Sequence, residues 1–374
     1  MGTDAWRNWN AFNAGEPEIE NVDDELHSDR HFAGGPASFG PFTLSTIIQG
    51  ARSRIEPPTV GPAVRLHDGV HANLIPDVVV NDGLVPANSD AYHGGNASDE
   101  IAALTSLTLG VRLRVAGTAQ LSGIHDPNEA QTPIYLAVTP LAHPGRPGRE
   151  YIPAALTRPA SLDSLDRLAT FPGLDEKAQV ELVRAARSYA TGLWWANEDP
   201  NQAWLQFVTA VEIAAKQRQM DTGKPVELVE QQWSDLWAFL KDADEPVRAG
   251  VAGQLAPQMR ATKRFVDFLT DRAPDPPEVR PQFGQLDWSK MRKHASLIYD
   301  HRSKALHGGK PLPLPMLAQP AVEESGAIQE APYGLNTGGQ GGVWDKKEAP
   351  MLLSTFEYLT RGALLAWWDE LAGG

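Results

Sequence analysis

The sequence predicts an α+β protein: a small β-rich N-terminal domain followed by an all-α helical bundle. Three observations carry that expectation. The period of the apolar pattern changes from about two to about 3.6 near residue 156. Glycine and proline crowd residues 36–155, where short apolar patches alternate with turn signals. Beyond that point, apolar stripes at helical spacing are bounded by capping residues such as Asp175 and by stops such as Gly308-Gly309.

In chain order, residues 1–35 are acidic, with Glu16, Glu18, Glu20, Asp23, Asp24 and Glu25, and read as a partly disordered or loosely docked arm. Residues 36–155 form a β-rich domain of unassigned role. Its clearest strand is expected over Ser106–Val115, where Leu107, Leu109, Val111, Leu113 and Val115 share one face and Arg112 and Arg114 point to the other. Val78–Val80 and Ile134–Val138 are further strands; Gly83-Leu-Val-Pro and His143-Pro-Gly-Arg-Pro-Gly are loops.

Residues 156–374 are helical. Asp175 caps a helix reaching about Trp195, and Asp199-Pro200 opens a second, with Trp204, Phe207, Val208, Val211 and Ala215 on its stripe. A third spans about 226–241, and two shorter ones lie near 245–254 and 257–271. After a proline-rich break at 273–281, Asp287 caps a helix from Trp288 to about His307. Residues 310–348 form a long Pro/Gly-rich loop, and Pro350 starts the last helix.

The net charge of −14 opposes broad, charge-driven nucleic-acid binding but leaves room for a local basic cleft. No apolar run nears the roughly 20 residues that cross a bilayer, and the acidic start is unlike a secretion signal, so a cytoplasmic protein without membrane contact is expected. With no cysteine, thiol nucleophiles, disulfides and cysteine-ligated zinc are excluded.

The anomaly lies on the Trp288–His307 helix. At about 100° per residue its stripe reads Trp288, Met291, Ala295, Ile298, Arg302, Ala305, so a guanidinium stands where an apolar side chain belongs. Arginine does not shed its proton, and burying it calls for a carboxylate, a phosphate or several acceptors. Arg302 therefore either pairs structurally with Glu212 on the second helix, or snorkels out of the helix end, or awaits a phosphate. His307, five residues on, lies about 140° around a regular helix. To share one site with Arg302, either the helix unwinds at Gly308-Gly309, or two copies meet on a two-fold axis.

Tyr299-Asp-His-Arg-Ser-Lys-Ala-Leu-His-Gly-Gly309 resembles the Arg-x4-6-His motif of the HEPN superfamily, in the form of its Apea-like branch. Asp199-Pro-Asn-Gln-Ala-Trp-Leu-Gln-Phe-Val-Thr-Ala-Val-Glu-Ile213 resembles that branch's second helix, with its glutamate at Glu212. The resemblance covers the C-terminal half. It implies a metal-independent endoribonuclease without cofactor, in which the RNA 2′-hydroxyl attacks the adjacent phosphate. His307 would move the proton, Arg302 hold the phosphate, Ser303 orient it and Glu212 fix Arg302. It further implies a homodimer through the helical domain, a toxin–antitoxin or antiviral role, and an antitoxin or sensor partner. A non-cutting HEPN module that binds RNA or nucleotides, or serves as a scaffold, is the alternative.

Other constellations weigh less. A second Arg-x-His spacing, Arg65 to His71, has no helical setting. His27/His31, His67/His71, His67-Asp68 and His125-Asp126 suggest a metal-dependent hydrolase in the N-terminal domain only if further ligands converge on them. Gly338–Gly342 lacks the lysine of a phosphate loop and reads as a flexible loop, with a cover over the Arg302 site as the alternative. Arg112 and Arg114, with Arg52 and Arg54, are either a solvated strand face or an RNA guide.

Overall fold

The computed structural model describes residues 2–47, 60–72, 79–80, 83–84, 91–121, 150–153, 159–216, 224–334, 336–339 and 342–373. An N-terminal antiparallel sheet region is followed by a largely helical C-terminal part, as the change of period predicts. Ile134–Val138, the loop at His143 and Arg52 and Arg54 lie outside the described residues.

Residues 1–35 are not a loose arm. They carry helix α1 (Asp4–Asn13) and strand β1 (Glu20–Ser28). The short β2 (Phe32–Ala33) and β3 (Ala37–Phe39) follow, then β4 (Phe42–Thr46) and β5 (Gly61–Val70). A further strand, Arg114–Leu121, completes a five-stranded sheet in which β1 lies between it and β5. The acids of β1 meet bases on β5: His67 Nδ1 lies 2.9 Å from Asp23, and Arg65 stands opposite Glu25. Cross-strand charge matching of this kind turns an apparently unfoldable acidic run into a strand.

The strand expected at Ser106–Val115 is instead the end of a helix and a turn, and only Arg114 and Val115 enter a strand. The short pair β6 (Val79–Val80) and β7 (Gly83–Leu84) precedes it, so Gly83 begins a strand and not a loop. Helix α2 (Ala97–Leu109) opens on a reciprocal capping box between Asn96 and Asp99. It closes at Gly110, which takes φ 67°. The alternating apolar residues therefore straddle a helix end: Leu107 is buried in α2, while Val111 and Leu113 are buried in the turn before β8 (Arg114–Leu121). Arg112 does not face solvent. It is fully buried, and its Nε and Nη2 donate to Asp29 at 3.1 and 3.2 Å.

After β9 (Ala160–Ser161), Asp175 accepts from the Lys177 and Ala178 amides and opens α3 (Glu176–Trp195). Helix α4 (Pro200–Lys216) follows, opened by Asp199. A Cβ on Gly192 would stand 2.5 Å from the Phe207 ring, so this glycine lets α3 and α4 approach closely. The helix expected at 226–241 is broken at Trp233 into α5 (Pro225–Gln232) and α6 (Ser234–Phe239). The two expected near 245–271 are one 28-residue helix, α7 (Glu245–Arg272). A 3-10 turn, Trp288–Lys290, leads into α8 (Met291–Gly308).

Residues 310–348 are not a structureless loop. They hold a 3-10 turn (Leu314–Leu317), the hairpin β10 (Asn336–Gly339) and β11 (Gly342–Asp345), and a second 3-10 turn (Lys346–Glu348). Buried Glu330 anchors them, bonding Arg280 at 2.6 Å and the Leu286 amide at 2.6 Å. The last helix is α9 (Leu353–Gly373), whose Phe356 stacks on Trp204 of α4 at 4.5 Å. Arg361 of α9 donates to the Leu107 and Thr108 carbonyls at the end of α2. One continuous hydrophobic core thus runs from α1 and the sheet through α2 into α3, α4 and α9. Among the described residues no helix is long and apolar enough to cross a membrane.

Asp68 of β5 and Asp24 of β1 are buried diagonal neighbours, and the Asn8 amide donates to Asp68 at 2.8 Å. Burial first, then the charge of Asp24, pushes the Asp68 carboxyl from 3.8 to about 7. A raised acid favours the protonated form in the fold. Its contribution is present at low pH and is lost as pH climbs from about 4 through 7. That loss amounts to up to about 4 kcal/mol. Asp68→Asn is expected to match wild type in thermal unfolding near pH 4.5 and to exceed it at pH 8. Equal melting temperatures at pH 8 would rule out this burial cost.

Candidate functional site at the end of helix α8

Helix α8 enters the core on Met291, Ala295 and Ile298 and leaves it over its last turns. Arg302 continues the buried stripe where the helix emerges, and its side chain is 22% exposed. On α4, Glu212 follows buried Val211 and stands at the edge of that stripe. The two meet: Arg302 Nη2 donates to Glu212 Oε2 at 2.7 Å. The guanidinium carbon also lies 5.5 Å from the Tyr299 ring centroid. Arg302 Nε is buried with no hydrogen-bond partner, so the cation is held in place but not fully satisfied. Burial and the neighbouring Glu212 carboxylate, which also hydrogen-bonds it, push the Tyr299 hydroxyl up to about 12.

His307 is exposed, and the helix stays regular past it to Gly308. Gly309, at φ 60°, closes it, donating to the Ala305 carbonyl at 3.1 Å. Unwinding at the glycines is therefore not how His307 is placed. The structure brings Arg302 and Glu212 together. It leaves His307 about 140° around the axis from Arg302 within one chain. Ser303, half-buried, follows Arg302 on the same turn.

Sequence reasoning missed the surface beside this helix end. A groove of about 710 Å3 runs between α8 and the 310–348 segment, with His301, Lys304, Lys310 and Trp344 on a wall of prolines and leucines. His301 Nε2 lies 2.7 Å from the Glu348 carbonyl, and burial lowers its pKa. Helix α8 carries Arg292, Lys293, Arg302 and Lys304 against Asp300 alone, with three histidines besides. That local excess, within a chain of net charge −14, was the available signal.

The N-terminal histidines do not assemble. His67 and His71 lie on or just after β5, so their spacing of four spans about 13 Å and not one helical turn. Arg65 shares that strand. His67 meets Asp23, His71 meets the Glu16 carbonyl at 2.8 Å, and His27 is buried with neither ring nitrogen bonded. Among the described residues no three His, Asp or Glu side chains are grouped to hold a metal. His125-Asp126 lies outside them. Of the Gly338–Gly342 stretch, Gly338 pairs with Val343 and Gly339 with Gly342 across β10 and β11, and residues 340–341 lie outside the described residues.

No family model, no curated protein and no solved structure matches this chain.

Proposed function

We propose that the chain is a metal-independent endoribonuclease of HEPN type, a cytoplasmic homodimer serving as a toxin or antiviral-defence effector. The observation that carries this reading is the Arg302–Glu212 pair at the solvent-open end of α8, five residues before exposed His307. A guanidinium fixed by a carboxylate and an aromatic ring is preorganised to hold a phosphate, and a histidine moves protons near neutral pH.

In the reaction, the ribose 2′-oxygen attacks the adjacent phosphorus while a base removes its proton. The P–O5′ bond breaks and the leaving oxygen is protonated, giving a 2′,3′-cyclic phosphate and a 5′-hydroxyl. His307 from each of two copies supplies the base and the acid. Arg302 and Ser303 bind the phosphate, and Glu212 positions Arg302. Pairing of two copies overcomes the angular separation within one helix. The groove beside α8, with Lys304, Lys310 and Trp344 on its wall, gives RNA a path, and the sheet region is the place for an antitoxin or sensor partner.

The test is incubation of purified protein with RNA and with DNA of the same sequence. Cleavage should persist in EDTA, leave cyclic phosphate ends and spare DNA, which lacks the 2′-hydroxyl. A second reading, a HEPN module that binds without cutting, is favoured by Glu212 already occupying Nη2 of Arg302. RNA binding without cleavage would select it.

A further inference from the structure

A separate cleft of about 360 Å3 opens where α2, the start of β8 and the C-terminal half of α3 meet. Ala102, Ala103 and Ala190 keep it open, and Trp194 and Trp195 give it aromatic walls. Trp195 is 44% exposed, so its indole is available to a planar ligand. Two guanidiniums line the same space. Arg187 is held by the Gly94 carbonyl at 3.0 Å and lies 3.7 Å from Asp99. Arg114 is exposed, lies 5.7 Å over the Trp194 ring, and pairs with no carboxylate among the described residues.

His27, opposite Arg114 on β1, is wholly buried with neither ring nitrogen bonded. Burial and the Arg114 charge hold it toward the neutral form. Asp99 and Glu198 add carboxylate acceptors to the lining. A ligand that suits this wall has a planar ring with N–H donors and one anionic group. The volume lies at the small end of ligand pockets, room for one nucleotide unit and not for a polynucleotide.

We propose that this cleft binds a nucleoside monophosphate, its base against the exposed Trp195 and its phosphate at Arg114. The site lies apart from the end of α8 and rests on no part of the nuclease reading.

Titration of the full chain with AMP, GMP, CMP and UMP, followed by tryptophan fluorescence and calorimetry, tests it. At least one nucleotide should saturate, with affinity about tenfold weaker in Arg114→Ala. Thr191→Trp, which fills the cleft, should abolish binding. Trp195→Ala, at an exposed position, should weaken it without unfolding the chain. Three results would each overturn the proposal: no saturation by any of the four at about 10 mM, affinity unchanged in Arg114→Ala and Trp195→Ala, or inorganic phosphate alone binding as well. Loss of binding in Arg302→Ala with Arg114→Ala intact would move the ligand to α8 and also overturn it. Absence of RNA cleavage, in contrast, leaves this titration unaffected.

Discussion

Replacing His307 by alanine is expected to lower RNA cleavage by about 10²–10⁴-fold, the usual worth of a positioned proton-transfer group. Because the side chain is exposed, stability should change by no more than about 0.5 kcal/mol. That separation between activity and fold makes the experiment decisive. Arg302→Ala should abolish cleavage equally, but it also leaves the Glu212 carboxylate, only 17% exposed, without its cation, so some stability is lost. Arg302→Lys resolves the ambiguity. It keeps a charge beside Glu212 but loses the planar fork that grips phosphate, so the fold should recover and cleavage should not. Gel assays on labelled RNA give the rates, and denaturant titration gives the stabilities. Full activity in His307→Ala sinks the proposed mechanism. If dimerisation places both motifs on one groove, adding excess His307→Ala to the wild type should lower its activity as subunits exchange, because the heterodimer keeps only one of the two rings.

The largest stability effect is expected at Arg112→Ala, a loss of about 3–5 kcal/mol. Arg112 is fully buried, Asp29 is 3% exposed, and two hydrogen bonds join them. The Arg112 guanidinium also lies 4.8 Å from the Trp194 ring, tying the sheet to α3. Removing the cation strands a carboxylate out of water, which costs far more than the lost contact itself. The double change Arg112→Met with Asp29→Leu should recover most of the loss, because two apolar groups need no partners. Urea midpoints for the wild type and the two variants measure this. A loss below about 1 kcal/mol for Arg112→Ala would show that the pair is relaxed or hydrated.

The helical half was legible because its signals are local. Asp175, Asp199 and Gly309 act on backbone groups within a few residues, and the stripes of α3, α4, α8 and α9 need only the period of the chain. The N-terminal half was misread where distant residues decide. β1 is a strand because β5 and β8 pair with it from both sides, placing His67 beside Asp23 and Arg65 opposite Glu25. Residues 106–113 look like a strand by alternation, yet the Asn96–Asp99 box and Gly110 impose a helix and a turn. The 310–348 segment is ordered by Glu330, whose partners Arg280 and Leu286 precede it by more than forty residues.

The sequence by itself determined the α+β class, most of the long helices, and the inward placement of Arg302, since each follows from periodicity and caps within one helix. Only the tertiary structure decided that Glu212 meets Arg302, that Arg112 is buried, and that His301, Lys304, Lys310 and Trp344 share a groove. The physical reason is that pairing and burial are set by packing between elements, and a charge's partner carries no mark in the residues beside it.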